Sequence, residues 1–346
     1  MNISAKSPQA KEAKILVEGL QSYFVVKLNH LAQKFGENKP CEAVTWGRDE
    51  GRHGGGVRYE ARDEVLFDRG SVNVSQVHYD DDETKKLASA TAVSTIIHPQ
   101  NPHAPSMHMH ISWTQMRDGK GYWRVMADLN PSLLSESEKD KEMFSAMLKN
   151  VTGKHYEEGK AQGDRYFNIP VLSRTRGVSH YYLENYNSGD FEVDKAFAQK
   201  VGEAVIDCYC DIVASKLDAY PSYSQEDKEE QLAYHTLYLF QVLTLDRGTT
   251  SGLLVHDQND VGIMGSIPSH VNRELLASWV EKMPTPQEKL VLSLLEALPN
   301  VLPTPVDEKT KKALAQAVRT HYKKYPEALS MQASGNSVPP TVKNHA

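Results

Sequence analysis

Four histidines lie close together in the segment STIIHPQNPHAPSMHMHISW, which covers residues 94–113 and also contains three prolines. Histidine exchanges protons near neutral pH and is a common metal ligand. The segment is therefore a metal site, a proton-transfer site, or a rigid turn in which the rings only support the fold. The four residues are His98, His103, His108 and His110.

The metal interpretation depends on His108 and His110, which are two positions apart. On a β-strand this spacing places both side chains on the same face. A site of this kind also needs a carboxylate and a later histidine, and two histidines alone rarely hold a metal ion. His180 is available as the later ligand, but no motif around it supports that role.

The proton-transfer interpretation depends on a predicted β-hairpin. The segments SMHMHISWTQM and GYWRVMADLNP flank the turn-forming RDGKG. Asp128, on the second strand, then falls opposite His108 or one pair away. A carboxylate among apolar neighbours needs a partner, because burial otherwise raises its pKa. The third interpretation gives His98 and His103 a purely structural role in the Pro-rich turn, and the sequence pattern alone leaves all three open.

Apolar residues recur at helical spacing in several segments, and the clearest is 191–218. One further helix begins at TPQEKL, with Thr285 predicted as N-cap, Pro286 as the first helical residue and Glu288 closing a capping box. The other predicted helices are 10–34, 135–150 and 307–323.

Alternating segments predict strands that are mostly linked by hairpins. We expect EVLFDRG and SVNVSQVHY to form one hairpin, TAVSTIIHP and GVSHYYLENY to form single strands, and residues 237–268 to form three short strands. The sequence shows no regular alternation of strands and helices, the pattern that would predict a parallel sheet. The predicted fold class is therefore α+β, an antiparallel sheet covered by helices.

Composition excludes several classes of protein. The net charge of −6 argues against non-specific nucleic-acid binding, which needs a basic surface. No apolar run approaches the ~20 residues of a membrane helix, and the first residues lack the apolar core of a signal peptide. Three cysteines without a CxxC pair indicate neither a disulfide framework nor a zinc ribbon. We expect a reduced, cytoplasmic protein without a membrane span or a nucleic-acid partner.

The chain shows no internal repeat and no linker between residues 40 and 280. We therefore predict one main domain over residues 1–283, a helical extension over 284–330, and a disordered tail over 331–346.

Seven short motifs, in order along the chain, resemble those of the oxygen-dependent coproporphyrinogen III oxidases. The signature H-P-x-N-P-x-x-P-x-x-H corresponds to HPQNPHAPSMH here. The other six are WGRDEGRHGGGVRY, GSVNVSQVHY, ADLNP, RTRGV, LDRGTTSGL and GIMGSIP. The resemblance as a whole extends over roughly residues 10–280.

This resemblance implies a fold and an activity. The family's fold is a large flat antiparallel sheet flanked by helices on both faces, and the enzymes are homodimers. Their reaction is the oxidative decarboxylation of two propionates of coproporphyrinogen III to vinyls, which gives protoporphyrinogen IX in haem and porphyrin biosynthesis. Dioxygen is the co-substrate and no other cofactor is needed, which agrees with the absence of a dinucleotide-binding glycine motif here.

The resemblance also assigns roles to residues. It implies that His108 is the proton donor and that Asp128 faces the pyrrole N–H groups of the tetrapyrrole substrate. Arg176 matches an arginine suited to gripping a propionate. Ser75 and Arg247 match substrate-contacting positions, although a structural ion pair is an equally good explanation for Arg247. With these roles assigned, a metal site is the weakest of the three interpretations, and no metal ligand is predicted.

The sequence departs from the family pattern at the predicted substrate site. The family's N-x-R is replaced by His110, Ile111 and Ser112, and its G-G-R by Asp257, Gln258 and Asn259. Both changes remove an arginine from a site that binds a tetra-anion, and the altered positions are kept as predicted substrate contacts.

A glycine run is also lost, because Val125, Met126 and Ala127 stand in its place. Arg124 and Arg174 are candidates to replace the missing charges from new positions. The alternative to the family's own reaction is a divergent paralogue that binds or modifies a different tetrapyrrole.

Overall fold

The computed structural model describes residues 2–256, 259–336 and 342. Its main feature is a seven-stranded antiparallel sheet with the strand order β1-β2-β3-β4-β5-β6-β9. These strands are β1 (Glu42–Gly47), β2 (Gly54–Glu60), β3 (Phe67–His78), β4 (Leu87–Pro99), β5 (Ser106–Met116), β6 (Gly121–Asn130) and β9 (Ser179–Tyr186). Two small two-stranded sheets pair β7 (Asn168–Ile169) with β8 (Arg174–Thr175), and β10 (His270–Val271) with β11 (Thr304–Pro305).

The helices divide between the two faces of the large sheet. The first four helices along the chain are α1 (Pro8–Phe35), α2 (Glu138–Thr152), α3 (Tyr156–Tyr166) and α4 (Phe191–Ala219). Those that follow are α5 (Gln225–Thr244), α6 (Arg247–Val255), α7 (Asp260–Ile263), α8 (Arg273–Ala277), α9 (Gln287–Ala297) and α10 (Glu308–Lys324).

One face of the sheet is apolar because alternate side chains of each strand point to it. On β5, Met107, Met109 and Ile111 join a hydrophobic core, whereas His108 and His110 point to the opposite face. Helices α1, α2 and α4 cover the apolar face and contribute their own apolar stripes to the same core.

The second face is polar at its centre and is covered by helices α5 to α10. These helices share a second hydrophobic core, which reaches the sheet through Ile96 of β4. The prediction of an α+β fold with a large antiparallel sheet flanked by helices on both faces is confirmed.

The three short strands predicted within residues 237–268 are wrong, because this region is helical. Helix α5 begins at a capping box formed by Ser224 and Asp227. Its residues 234–244 are buried without interruption. A continuous apolar run cannot distinguish a buried helix from a buried strand, since neither shows a polar face.

The hairpin predicted at residues 64–79 is also wrong, because both segments belong to the single strand β3. Gly70, where the two segments meet within the strand, allows close packing. A Cβ atom at this position would lie 2.7 Å from the Cβ of Ala61. The hairpin of β5 and β6 and the strand β9 are confirmed.

Helix α9 forms as predicted, but its cap differs. Pro286 occupies the N-cap position without a side-chain hydrogen bond to the helix, and the hydroxyl of Thr285 donates to the side chain of Glu288. Thr285 lies one position before the cap, and the Thr285–Pro286 peptide is cis. The predicted helix at 307–323 is confirmed as α10.

The predicted boundary at residue 284 falls inside the second hydrophobic core, where Leu237 of α5 and Leu290 of α9 belong to the same cluster. Within the predicted tail 331–346, the N–H groups of Ala333 and Gly335 donate to the carbonyl of Leu245 and to Oε2 of Glu184. Residues 337–341 and 343–346 lie outside the described part of the chain, so the domain division stays a prediction.

None of the helices formed by the described residues is long and apolar enough to cross a membrane.

Candidate functional site

A cavity of about 350 Å³ lies between the polar face of the sheet and helices α5 and α6. This volume falls in the range of small-molecule sites. Small side chains of β3 and β4 form its floor, and larger polar groups of β5, β6, β9 and α6 form its walls. The floor residues are Ser71, Asn73, Ser75, Ala92 and Ser94, and the wall residues include His108, His110, Arg124, Tyr182, Asp246 and Arg247.

The antiparallel register of β5 and β6 places His108 directly opposite Asp128. The two side chains meet with 2.9 Å between His108 Nδ1 and Asp128 Oδ1. Because the carboxylate is an acceptor, this contact places a proton on Nδ1 and leaves Nε2 to face the cavity. The His108 side chain retains 17% of its exposure, whereas that of Asp128 has none.

Asp128 is held by three donors. Besides His108, its Oδ2 accepts from Arg176 at 2.8 Å and from the amide of Asn130 at 2.6 Å. Burial acts to raise the pKa of Asp128, but the Arg176 guanidinium and the hydrogen bond from His108 outweigh it. The pKa therefore lies below the usual range, and the group is a buried carboxylate anion.

Arg176 reaches Asp128 from the short segment before β9. Its guanidinium also donates to Gln241 of α5 at 2.7 Å and lies between the rings of Phe167 and Tyr238. Burial acts to lower the pKa of Arg176, but Asp128 outweighs it and raises the value. The cation is thus engaged with a protein carboxylate beneath the cavity, although its side chain still touches the cavity wall.

His110 and Ser112 follow on the same face of β5. The ring Nε2 of His110 lies 3.0 Å from Ser112 Oγ. Burial, followed by the nearby charge of Arg124, lowers the pKa of His110 to about 3, so this ring is neutral. Ser75, predicted from the resemblance, lines the floor of the same cavity.

Arg247 begins α6 and lines the cavity, where it forms a salt bridge with the buried carboxylate of Glu184. Glu184 also accepts from the hydroxyl of Tyr182 at 2.9 Å. The preceding residue, Asp246, caps α6 by accepting from the N–H of Thr249. The salt bridge of Arg247 therefore joins it to β9 and does not close a tight turn at Gly248, and the side chain also lines the cavity.

The remaining predicted residues do not all reach the site. Asp257 and Gln258 lie outside the described residues. Asn259 forms the turn before α7, with its carbonyl accepting from Ile263 at 2.9 Å. Of the two candidate replacement arginines, Arg124 lines the cavity, whereas Arg174 is exposed on β8 and does not line it.

The two histidines of the Pro-rich turn have structural contacts. His98 is buried between Ser106 Oγ at 2.8 Å and the carbonyl of Ser266 at 3.1 Å. His103 stacks on Tyr220 with 4.2 Å between ring centroids. Among the residues that the structure describes, no three His, Cys, Asp or Glu side chains converge as a metal site would require.

Sequence reasoning missed several residues that build the site. Gln241 was hidden by the wrong strand prediction for α5, and Asn130 gave no signal beyond its place beside Asp128. Glu184 was also missed, because its role depends on its contacts with Arg247 and Tyr182. The small residues of β3 and β4 do give a signal in the sequence, because they alternate with apolar residues at the spacing of a strand.

The family model described as coproporphyrinogen III oxidase matches residues 12–297. The oxygen-dependent coproporphyrinogen-III oxidase of Rickettsia akari is 33% identical over 249 residues, which cover 67% of this chain and 86% of that protein. The mitochondrial oxygen-dependent coproporphyrinogen-III oxidase of Rattus norvegicus is 29% identical over 278 residues, covering 73% of this chain and 60% of that protein.

Proposed function

Because the chain belongs to the coproporphyrinogen III oxidase family, we propose that its cavity binds coproporphyrinogen III and that the protein decarboxylates two of the propionates with dioxygen as oxidant. The product is protoporphyrinogen IX, and no organic cofactor takes part. The observation that carries the proposal is the position of His108, which faces the cavity with a buried carboxylate behind its ring.

The floor of the cavity suits a broad tetrapyrrole. Ser71, Ser75 and Ser94 have short side chains, so a macrocycle can approach the sheet closely. Their hydroxyl oxygens, with the side chain of Asn73, accept hydrogen bonds from pyrrole N–H groups. A polar floor without fixed charge therefore binds the centre of the substrate, and the charged walls lie beside its carboxylates.

The proposed chemistry needs proton transfer at the cavity wall. Each propionate that becomes a vinyl loses carbon dioxide, two electrons and one proton. Dioxygen accepts the electrons and takes up protons as it is reduced to water. His108 Nε2 is placed to carry a proton between substrate and oxidant, since Nδ1 is held by Asp128.

Asp128 and Arg176 act through His108 in this proposal. The carboxylate fixes the ring orientation and stabilises the imidazolium that forms when Nε2 takes up a proton, and Arg176 keeps that carboxylate ionised. The resemblance implied that Asp128 faces the pyrrole N–H groups and that Arg176 grips a propionate. Since both groups are buried and engaged with each other, we assign them a positioning role instead.

A second candidate function follows from the charges of the cavity. Arg176 and Arg247 both pair with protein carboxylates, so the walls hold little excess positive charge for a tetra-anion. A tetrapyrrole with fewer carboxylates would suit such a site. In that case the protein is a divergent member of the family that acts on, or only binds, another tetrapyrrole.

The two candidates are separated by an assay of the purified protein with coproporphyrinogen III. Product is measured as protoporphyrin fluorescence after oxidation, in air and under argon. The proposal predicts product only in air, its loss in His108→Ala, and its retention in the control His30→Ala, whose ring is exposed on α1. A well-folded protein that forms no product in air would contradict it, and titration with other porphyrins would then test the second candidate.

The homodimer and the cytoplasmic location stay predictions. The first is implied by the family and the second by composition. Sedimentation of the purified protein and fractionation of the source cells would test them.

A further inference from the structure

The arginines that line the cavity differ in their partners. Arg176 is bound to Asp128, and Arg247 is bound to Glu184. Among the residues that the structure describes, Arg124 has no salt bridge to a carboxylate. Of these three cations, it is therefore the one whose charge is not balanced by an acidic side chain.

The contacts of Arg124 are with neutral groups. Its NH2 group donates to the hydroxyl of Tyr122 at 3.1 Å, and NH1 approaches Thr114 Oγ1 at 3.5 Å. The guanidinium carbon lies 5.1 Å from the centre of the Tyr122 ring, a cation–π contact that holds the side chain in place. A guanidinium has five N–H donors, so this arrangement leaves donors for a planar anion such as a carboxylate.

The charge of Arg124 is directed at the cavity. It contributes, after burial, to the low pKa of His110, and it opposes the rise that burial causes in the pKa of Tyr182. Both of these residues line the cavity. Because His110 is neutral at physiological pH, it neither adds to nor cancels the charge.

The position of Arg124 along the sheet excludes it from the neighbourhood of His108. Ser112, which is opposite Arg124, is four positions from His108 on β5, a separation of roughly 13 Å along the strand. The guanidinium contacts Thr114 and Tyr122, which form the next pair on this face and lie farther away still. A carboxylate bound by Arg124 is thus not the one that reacts beside His108.

We propose that Arg124 determines substrate specificity by binding a non-reacting propionate of the tetrapyrrole. This rests on the proposed function for the cavity. A bidentate contact from the guanidinium fixes the rotation of the macrocycle over the sheet, so that another propionate is presented to His108. The cavity then selects tetrapyrroles that carry a carboxylate on the side remote from the reacting group.

Binding tests this assignment without any need for turnover. Coproporphyrin III, the stable oxidised tetracarboxylate, is titrated into wild type, Arg124→Gln, Arg124→Lys and the control Arg174→Gln. Loss of a charge-assisted pair predicts a dissociation constant about 10- to 100-fold higher in Arg124→Gln. We expect a smaller rise in Arg124→Lys and none in Arg174→Gln. The tetramethyl ester, which has no carboxylate, should bind wild type and Arg124→Gln equally.

Kinetics distinguish anchoring from a role in the reaction. An interaction with a part of the substrate that does not react mainly contributes binding energy, so its loss raises KM. We expect a smaller fall in kcat, because the macrocycle then also binds in rotations that do not present a propionate to His108. Arg124→Gln should show that pattern with coproporphyrinogen III. Circular dichroism and the melting temperature of each variant establish that it is folded.

The possible failures are distinct. A dissociation constant for coproporphyrin III that is unchanged in folded Arg124→Gln overturns the inference, even if wild type turns over coproporphyrinogen III. An equal loss in Arg174→Gln overturns it as well, because the effect would then be one of general charge. Weakened binding in Arg124→Gln, with wild type inactive, supports the anchor and overturns the proposed reaction.

Discussion

Replacement of Asp128 by asparagine tests the buried pair beneath His108. The amide keeps the shape of the side chain but removes the charge that Arg176 faces at 2.8 Å. The new NH2 group also faces three residues that donate to the carboxylate in the wild type, namely His108, Asn130 and Arg176. Removal of one partner from a buried ion pair costs about 3–5 kcal/mol, since the other charge stays buried. A typical domain has about 5–15 kcal/mol of stability, so the loss is large but leaves a measurable folded state.

The free energy of unfolding is measured by urea denaturation for Asp128→Asn, Arg176→Met and the double variant. If the two groups stabilise each other, the loss of unfolding free energy in the double variant is smaller than the sum of the losses in the two single variants. We expect this difference to exceed ~1 kcal/mol. The control is Asp218→Asn, which breaks the exposed contact with Lys34 and should leave the unfolding midpoint nearly unchanged.

Additive losses in this cycle would refute the coupling of Asp128 and Arg176. A wild-type rate of turnover in Asp128→Asn would refute the positioning role instead. We expect that rate to fall by about 10²–10⁴-fold, the contribution of a positioned acid–base group.

The remaining predictions concern stability. The pKa values of His98 and His110 are lowered to about 3 and that of His235 to about 4, chiefly by burial. The unfolded chain therefore binds protons that the folded chain does not, so stability is complete above pH 6.5 and falls as the pH drops below it, by up to ~1.4 kcal/mol per pH unit for each ring. His98→Gln should show a shallower fall, and an unchanged slope would contradict this. Gly163→Ala should lower the melting temperature, because its Cβ would lie 2.8 Å from the Cβ of His180. In the control Gly19→Ala, the added Cβ has no neighbour within 4 Å. This variant should have a higher melting temperature, because alanine stabilises a helix by roughly 0.5–1 kcal/mol relative to glycine.

Local patterns predicted the part of the site that depends on one hairpin. The alternation of β5 and β6 and the turn between them bring His108 opposite Asp128, as the register shows. Such a pair depends only on residues close in sequence, so period and turn chemistry suffice to place it.

The parts of the site that depend on distant contacts could not be predicted in this way. Arg176 is 48 residues from Asp128, and Gln241 is 65 residues from Arg176. Their meeting depends on how α5 packs over the sheet, and the continuous burial of α5 hid even its helical period. The partner of Arg247 was missed for the same reason, since Glu184 lies on the edge strand β9, 63 positions away in the sequence.

The role of His108 is tested most directly by comparing binding and turnover in His108→Ala. We expect the variant to bind coproporphyrin III with a dissociation constant close to that of wild type, because the floor and Arg124 provide the binding contacts. We also expect kcat for oxygen-dependent formation of protoporphyrinogen IX to fall by at least about 100-fold, since His108 is the group assigned to carry the proton. A variant that retains turnover, or one that loses binding and turnover in equal proportion, would contradict the central role given to His108.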